Sequence, residues 1–323
     1  GAAVFALYLW LMETAGKQWW TRWTALLAAT LYSVHTTSTE TLNLMHARSE
    51  LISGLGVVGS FLVYCYLPRS RRTHLYLIPM VIGALAKSPA VMFAPLFLVY
   101  VFLFEQRLSL PDLLSRKSWA SVRAAIWKSV PAFIVGIAVF VGIGAMDAPT
   151  VSYGGGGRYE YLLTQTFVSL HYARLFFLPI GLTADTDWRM ISSWYDTRVI
   201  AGLLFLVLLL RALWATSKTP VWRPVCFGLA WFVLALLPSS SVVPLAEVSN
   251  EHRVFFPYIG LTLAVVWGLT QSVIRWSDAS PRLRPLITSA ALVLALVAVG
   301  GNAVGTYERN KVWGTDESLW RAV

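Results

Sequence analysis

The chain has 323 residues, 57% of them hydrophobic and 13% charged, with a mean hydropathy of +0.62 and a formal net charge of +10. A soluble domain is about 45–50% apolar and about 25% charged, so the composition excludes an ordinary globular domain. It also excludes a nucleic-acid partner as the reason for the positive charge. The Lys and Arg residues sit in short connectors beside apolar runs, where they set membrane orientation.

In chain order, apolar runs of roughly 16–22 residues recur, the length needed to cross a hydrocarbon core about 30 Å thick. The expected spans are 2–13, 23–35, 51–67, 74–87, 89–104, 129–146, 199–215, 222–238, 254–274 and 284–304. A further apolar segment, 162–182, is broken by Gln165, His171, Arg174 and Pro179. The stretch 105–128 opens with Pro111-Asp112 and carries Arg and Lys on one helical face, which suggests a helix lying on the membrane surface, with a plain basic loop as the alternative. The expected fold is all-α: a polytopic transmembrane helical bundle of about ten spans plus one re-entrant or interfacial helix. A membrane β-barrel would show short alternating segments instead. The 15 Trp and 13 Tyr residues suit interfacial anchoring. Cys65 and Cys226 lie inside apolar runs and read as small core residues. Gly1 to Met12 is apolar without a basic leader region, so it reads as part of a helix rather than a signal peptide.

Charge assigns sides. Arg69, Arg71 and Arg72 crowd one connector; Arg107, Arg116, Lys117, Arg123 and Lys128 the next; Arg211, Lys218 and Arg223 a third; Arg275, Arg282 and Arg284 a fourth. The positive-inside rule makes all four cytoplasmic, provided that 162–182 does not cross. That segment is therefore expected to be re-entrant or interfacial, which is tolerated where backbone is buried in protein or lines a cavity. The connectors 36–50, Lys87-Ser88-Pro89, 147–198 and 239–253 then fall outside, with most of the acidic residues, among them Asp147, Glu160, Asp185, Asp187, Asp196, Glu247 and Glu251. The N-terminus also begins outside, which implies an upstream helix and outside loop.

These outer connectors hold the polar clusters, and ionisable groups at the edge of hydrocarbon are functional candidates. In 35–50, a helix would bring Glu40 and Arg48 to one face two turns apart, with Glu50 close by. The Arg fork suits a phosphate, and Glu40 suits sugar hydroxyls or the Arg itself. A structural ion pair closing a helix end is the plainer reading. Lys87 either snorkels to the interface or shares an anion site with Arg48. Gly154-Gly155-Gly156-Gly157-Arg158 reads as a mobile connector or a lid, and lacks the features of a phosphate-binding P-loop. In 239–253, Arg253 is a phosphate candidate, and Glu247 and Glu251 are candidates for substrate orientation or metal contact. No HExxH pattern is present, and a divalent metal is left open. His171, near Arg174, reads as a helix residue with its hydrogen bonds satisfied.

Five short stretches, in order, resemble one family. His35-Thr36-Thr37-Ser38-Thr39-Glu40 followed by Arg48-Ser49-Glu50-Leu51 is similar to the HPxxTE…RSELL signature of the membrane domain in TMTC-like proteins and their bacterial tetratricopeptide-repeat relatives, members of the GT-C glycosyltransferase superfamily. Ala84-Leu85-Ala86-Lys87-Ser88-Pro89 resembles the LAKE segment. Tyr161-Leu162-Leu163-Thr164-Gln165, with Tyr172, Arg174, Leu178-Pro179-Ile180-Gly181-Leu182 and Asp185, resembles YLLTQ…YLRLLLLPxGLxxD. Leu237-Pro238-Ser239-Ser240-Ser241 through Glu251-His252-Arg253 resembles LLPTSS…EHRxY, and Arg309-Asn310, Trp313 and Leu319-Trp320 resemble the RNxxW…LW linker into the repeats. Thr36 stands where the family has Pro, and Ser88 where it has an acidic residue.

The resemblance implies a GT-C-like transmembrane domain over 1–304 and, over 305–323, the start of a C-terminal non-cytoplasmic helical region. It implies transfer of a sugar from a polyprenyl-phosphate donor to a protein or glycan acceptor on the non-cytoplasmic face, as in a bacterial inner membrane with the site facing the periplasm. The substrate- and phosphate-binding set is then Arg48, Lys87, Arg253, His35, Glu40, Glu50, Arg158, Glu247, Glu251 and His252. The family's acidic catalytic residue lies in a first outside loop, expected upstream of residue 1. The expected partners are membrane lipid, the lipid-linked sugar, and a protein acceptor or partner subunits through the repeat region, with no nucleic acid. Two rival readings are a non-catalytic GT-C-like scaffold presenting a repeat domain, and a lipid-substrate transporter, which lacks the internal repeats it would need.

Overall fold

The computed structural model describes residues 1–146, 157–183, 186, 188–240, 244–245 and 247–321. Asp147, Gly154-Gly155-Gly156, Asp185, Asp187 and Ser241, on which part of the outer acidic loop and the lid reading rest, lie outside the described residues.

The described residues form helices and no strand: α1 Ala2–Ala15, α2 Thr21–Ser33, α3 Ser38–Asn43, α4 Arg48–Tyr66, α5 Ser70–Thr73, α6 Ile78–Ala86, α7 Phe93–Tyr100, α8 Trp119–Met146, α9 Arg158–Phe177, α10 Thr197–Ser217, α11 Arg223–Leu236, α12 Phe255–Ala279, α13 Arg284–Val312 and α14 Asp316–Trp320. With flanking turns included, six helical stretches among the described residues are long and apolar enough to cross a membrane: Arg48–Tyr66, Ser88–Glu105, Arg116–Met146, Thr197–Ser217, Glu251–Ala279 and Arg284–Val312. The other four expected spans, counted the same way, are the helical stretches Ala2–Ala15, Thr21–Ser33, Leu75–Ala86 and Pro220–Leu236, of 14, 13, 12 and 17 residues. At 1.5 Å per residue these reach about 18–26 Å, so among the described residues six stretches rather than ten have the full crossing length as helix.

The stretch 105–128 differs from both expectations for it. It forms short 3-10 turns at Leu110–Leu114 and Arg116–Ser118, and from Trp119 it is already the start of α8. Arg123 and Lys128 belong to the same helix as the apolar span, Arg116 and Lys117 to the turn that leads into it, and Lys128 pairs with Glu105 at 2.6 Å. The chain after 304 also continues α13 without a break to Val312.

α12 is the central helix, and it crosses α11 at a glycine pair: a Cβ on Gly260 would collide with Gly228 O and the Trp231 side chain. This close approach allows an aromatic core in which Phe61, Phe93, Phe227 and Trp231 meet mostly edge to face. α8, α10 and α13 lie outside it. Ile134, Ile137 and Phe140 of α8, Leu203, Leu204 and Leu208 of α10, and Leu292, Leu294 and Leu296 of α13 are all exposed. Apolar surface this continuous is not stable in water, which agrees with a lipid-embedded bundle.

The bundle has two chemically distinct ends. α4 runs from Glu50 to the Arg69–Arg72 connector, and α12 runs from His252 and Arg253 to Arg275. At the basic end Arg223 donates to Arg107 O, and Leu110 N donates to Ser217 Oγ. α9 lies across the opposite end. From Tyr161 to Phe176 its polar contacts include Ser239, Ser240, Val248, Asn250 and His35, all in or beside the connectors of that end.

Candidate functional site

The polar end of the bundle encloses a cavity of about 430 Å³. Breaks in the helices place its side chains. Leu44 is extended and separates α3 from α4, which puts Glu40 in one short helix and Glu50 in the first turn of the next. α6 stops at Lys87, whose backbone is extended ahead of Ser88-Pro89, so its side chain leaves the helix at the cavity wall. α11 ends just before Pro238, and Asn250 is extended before the 3-10 turn Glu251–Val254, which delivers His252 and Arg253. The lining includes Glu40, His46, Glu50, Lys87, Ser239, Glu247, Asn250, His252, Arg253 and Phe256.

Each permanent cation here faces a carboxylate. Lys87 Nζ lies 2.8 Å from Glu50 Oε1, with the side chains 25% and 6% exposed. Arg253 donates to Glu247 O at 3.0 Å and lies 3.9 Å from its carboxylate, while Asn250 also donates to that carboxylate. Glu40 is fully engaged with one residue: Oε2 accepts from the His252 backbone N–H at 2.9 Å, and Oε1 lies 2.7 Å from His252 Nδ1. Both side chains of that pair are nearly buried, at 3% and 11% exposed. Three carboxylates, two cations and two histidines thus share one cavity, so an incoming anion must win Lys87 or Arg253 from an existing partner.

Six of the ten residues singled out from sequence meet here: Glu40, Glu50, Lys87, Glu247, His252 and Arg253. Four do not line the cavity. Arg48 is exposed and its Nε reaches Leu42 O, because the break at Leu44 removes the continuous helix that would have aligned it with Glu40. Arg158 is exposed at the start of α9. His35 is buried beyond the end of α2, with Nε2 on Phe176 O and Nδ1 on Thr37 Oγ1, so it fastens α9 to the α2–α3 connector. Burial pushes its pKa down to about 4, which keeps the ring neutral. Glu251 turns away, accepting from Thr183 N at 2.6 Å and facing Arg309 of α13 at 3.9 Å. Among the described residues no group of three or more His, Cys, Asp or Glu is placed to hold a metal, and Glu247 and Glu251 take different partners.

Two features were not read from sequence. Arg309 joins the polar end from 58 positions beyond Glu251; its place in the RNxxW stretch was the available signal. Tyr172 of α9 organises the connector before His252: its hydroxyl donates to Asn250 O and accepts from Asn250 N, both at 3.0 Å.

A second, apolar groove of about 280 Å³ is lined by Leu162, Leu206, Leu209, Phe232, Val233 and Leu237 among others. The cavity and the groove share no lining residue but lie on different faces of the end of α11, where Ala235, Pro238 and Ser239 face the cavity and Leu236, Leu237 and Ser240 face the groove. Tyr161 and Gln165 brace this helix end, on Ser239 O and Ser240 Oγ. The arrangement suits an amphiphile with a polar, anionic head and a hydrocarbon tail.

No protein-family model matches the chain, and no solved structure matches it. It is 25% identical over 347 aligned residues to a Drosophila melanogaster protein named Protein O-mannosyl-transferase Tmtc3, an alignment that covers 92% of this chain and 36% of that protein. The chain thus spans little more than a third of the relative's length.

Proposed function

We propose that this chain is the membrane part of a TMTC-like, GT-C-type glycosyltransferase that transfers a sugar from a polyprenyl-phosphate donor to a hydroxyl of a protein or glycan. The observation that carries this reading is a polar, cation-bearing cavity and an apolar groove on different faces of the same helix end, that of α11. The donor's phosphate would exchange for Glu50 and Glu247 on Lys87 and Arg253, and its first isoprene units would lie in the groove against Leu209, Phe232 and Leu237. Arginine and lysine held there would stabilise the charge that grows on the leaving phosphate. The name of the distant relative, a protein O-mannosyl-transferase, supports mannose as the sugar and a protein as the acceptor. In this reading α1, α2, α6 and α11 complete their crossings with flanking turns, giving about ten spans. α9 is interfacial or re-entrant, the cavity faces the non-cytoplasmic side of a plasma membrane such as the bacterial inner membrane, and the chain after α13 leads into a helical repeat region that meets acceptors or partner subunits.

The test is transfer of radiolabelled mannose from a polyprenyl-phosphate carrier to a Ser/Thr-containing peptide by the full-length protein in nanodiscs. Transfer that is lost in Arg253→Ala supports the reading; absence of both transfer and donor binding in the wild type refutes it. One observation favours a second reading, a non-catalytic scaffold: every cavity cation is already neutralised by the protein's own carboxylates. Donor binding without transfer would select it.

A further inference from the structure

α9 separates two environments. On one face, Leu162, Gln165, Thr166 and Ser169 line the apolar groove. On the other, Thr164, Phe167, His171 and Arg174 line two further cavities, of about 290 and 360 Å³. At about 100° per residue the two sets point in opposite directions, so the helix itself stands between them. The two cavities share Phe167 and Trp188 and so form one elongated trough. Trp188 is stacked on Phe167 with ring centroids 5.4 Å apart, and the His171 ring meets it at 4.7 Å. An aromatic shelf thus crosses the middle of the trough.

Its charge differs from that of the polar cavity, where Lys87 and Arg253 each face a carboxylate. Arg174 lines one half of the trough and Arg189 the other, both exposed, and among the described residues no carboxylate pairs with either. Arg174 donates to Ile180 O at 3.2 Å. The neighbouring charges are already engaged: Arg198 by Asp196, and Glu251 by Thr183 N and Arg309. His171, expected from sequence to have its hydrogen bonds satisfied, makes none among the described residues. Burial, with the charge of Arg174, pushes its pKa down to about 4, so it adds polarity and no charge. Asn250 lines both the trough and the polar cavity, so one connector forms a wall of each.

We propose that the trough binds an acidic segment of polypeptide, and that this segment belongs to the acceptor, whose hydroxyl is carried past Asn250 into the polar cavity; the acceptor role rests on the functional reading above. Carboxylate side chains take Arg174 and Arg189, and the chain between them lies on Trp188. A polypeptide fits better than a lipid headgroup, because the groove for hydrocarbon lies on the opposite face of α9.

The experiment uses the full-length protein in nanodiscs of phosphatidylcholine. Fluorescence anisotropy gives Kd for labelled Ser/Thr peptides that differ only in their flanks, which are Asp/Glu, Asn/Gln or Lys. Exposed ion pairs are individually weak, so Arg174→Gln and Arg189→Gln should each weaken acidic-peptide binding about two- to fivefold, and together about tenfold, with the Kd of a fluorescent polyprenyl phosphate within about twofold of wild type. Arg174→Glu combined with Arg189→Glu should move the preference to the Lys-flanked peptide, a result that misfolding cannot produce. In sugar transfer the acidic flanks should lower KM and leave kcat unchanged. Equal Kd for acidic and neutral peptides overturns the proposal, as does a preference that survives both arginine substitutions. Loss of phosphatidylglycerol binding in the variants, with peptide binding unchanged, would assign the arginines to lipid headgroups and overturn it too. Transfer without any peptide preference sinks the proposal and spares the functional reading. Arginine-dependent binding of the acidic peptide without transfer to any peptide does the reverse, and keeps the trough as a site for an acidic partner segment.

Discussion

Glu50→Gln is expected to tighten donor binding, an effect opposite in sign to that of most changes in a binding site. Lys87 Nζ sits 2.8 Å from Glu50 Oε1, and Glu50 is only 6% exposed. At an effective dielectric of about 20 the bare attraction at this distance is about 6 kcal/mol. Desolvation and the 25% exposure of Lys87 reduce this to the range of a charge-assisted hydrogen bond, about 1.5–3 kcal/mol net. A donor phosphate that takes Lys87 must displace that bond. Glutamine keeps the shape but removes the competing charge, so donor Kd should fall about 10- to 100-fold, at about 1.4 kcal/mol per decade. The free protein should lose stability in the same variant, because Lys87 keeps its charge and loses its partner. Lys87→Met should do the reverse to binding and weaken it. The assay is titration of a fluorescent polyprenyl phosphate against nanodisc-embedded protein, with thermal unfolding as the control for fold. A folded Glu50→Gln protein whose donor affinity is unchanged or weaker would show that Lys87 is a structural cation and not a phosphate ligand.

Arg48→Ala should leave donor Kd within about twofold, since Arg48 is exposed and outside the cavity, whereas Arg253→Ala should weaken it at least tenfold, the scale of one lost charge-assisted bond; equal effects on the same titration would remove the distinction drawn between them. Gly260→Ala should cost about 1–3 kcal/mol or more, because the added methyl meets Gly228 O and Trp231, and a Tm in detergent equal to that of wild type would show that the α11–α12 crossing is looser than described. His35 has a folded pKa near 4 against 6.5 for the free side chain, so between these values the unfolded chain binds the extra proton. Its contribution is present above about pH 6.5 and declines as pH falls, by about 2 kcal/mol at pH 5. His35→Gln should flatten that part of the stability–pH curve, and an identical slope in the variant would refute the assignment.

The ten apolar runs were legible because hydrophobic length survives any packing, and each of them is a helix. What periodicity did not supply was where a helix stops. The break at Leu44 turns a hypothetical face shared by Glu40 and Arg48 into two helices pointing different ways, and so takes Arg48 out of the cavity. The basic stretch before residue 129 was separated from the apolar one because composition changes there, yet α8 already begins within it, at Trp119. The chemistry of the site was visible as residue types, since buried ionisable groups at span ends are costly. Its pairings were not: Glu40 and His252 are 212 positions apart, and Glu251 and Arg309 meet only because α13 folds back on the polar end. The groove was invisible for another reason, since Leu209, Phe232 and Leu237 look like any other span residues until α9 is laid against α10 and α11.

The most direct test of the central claim is a structure of the full-length protein with a polyprenyl-phosphate sugar bound in a nanodisc. The account predicts phosphate density within hydrogen-bond distance of Lys87 and Arg253, with Glu50 displaced from Lys87 and the isoprenoid chain along Leu209, Phe232 and Leu237. Donor density elsewhere on the protein, with the Lys87–Glu50 pair intact and the cavity holding only water or a partner's side chains, would contradict it.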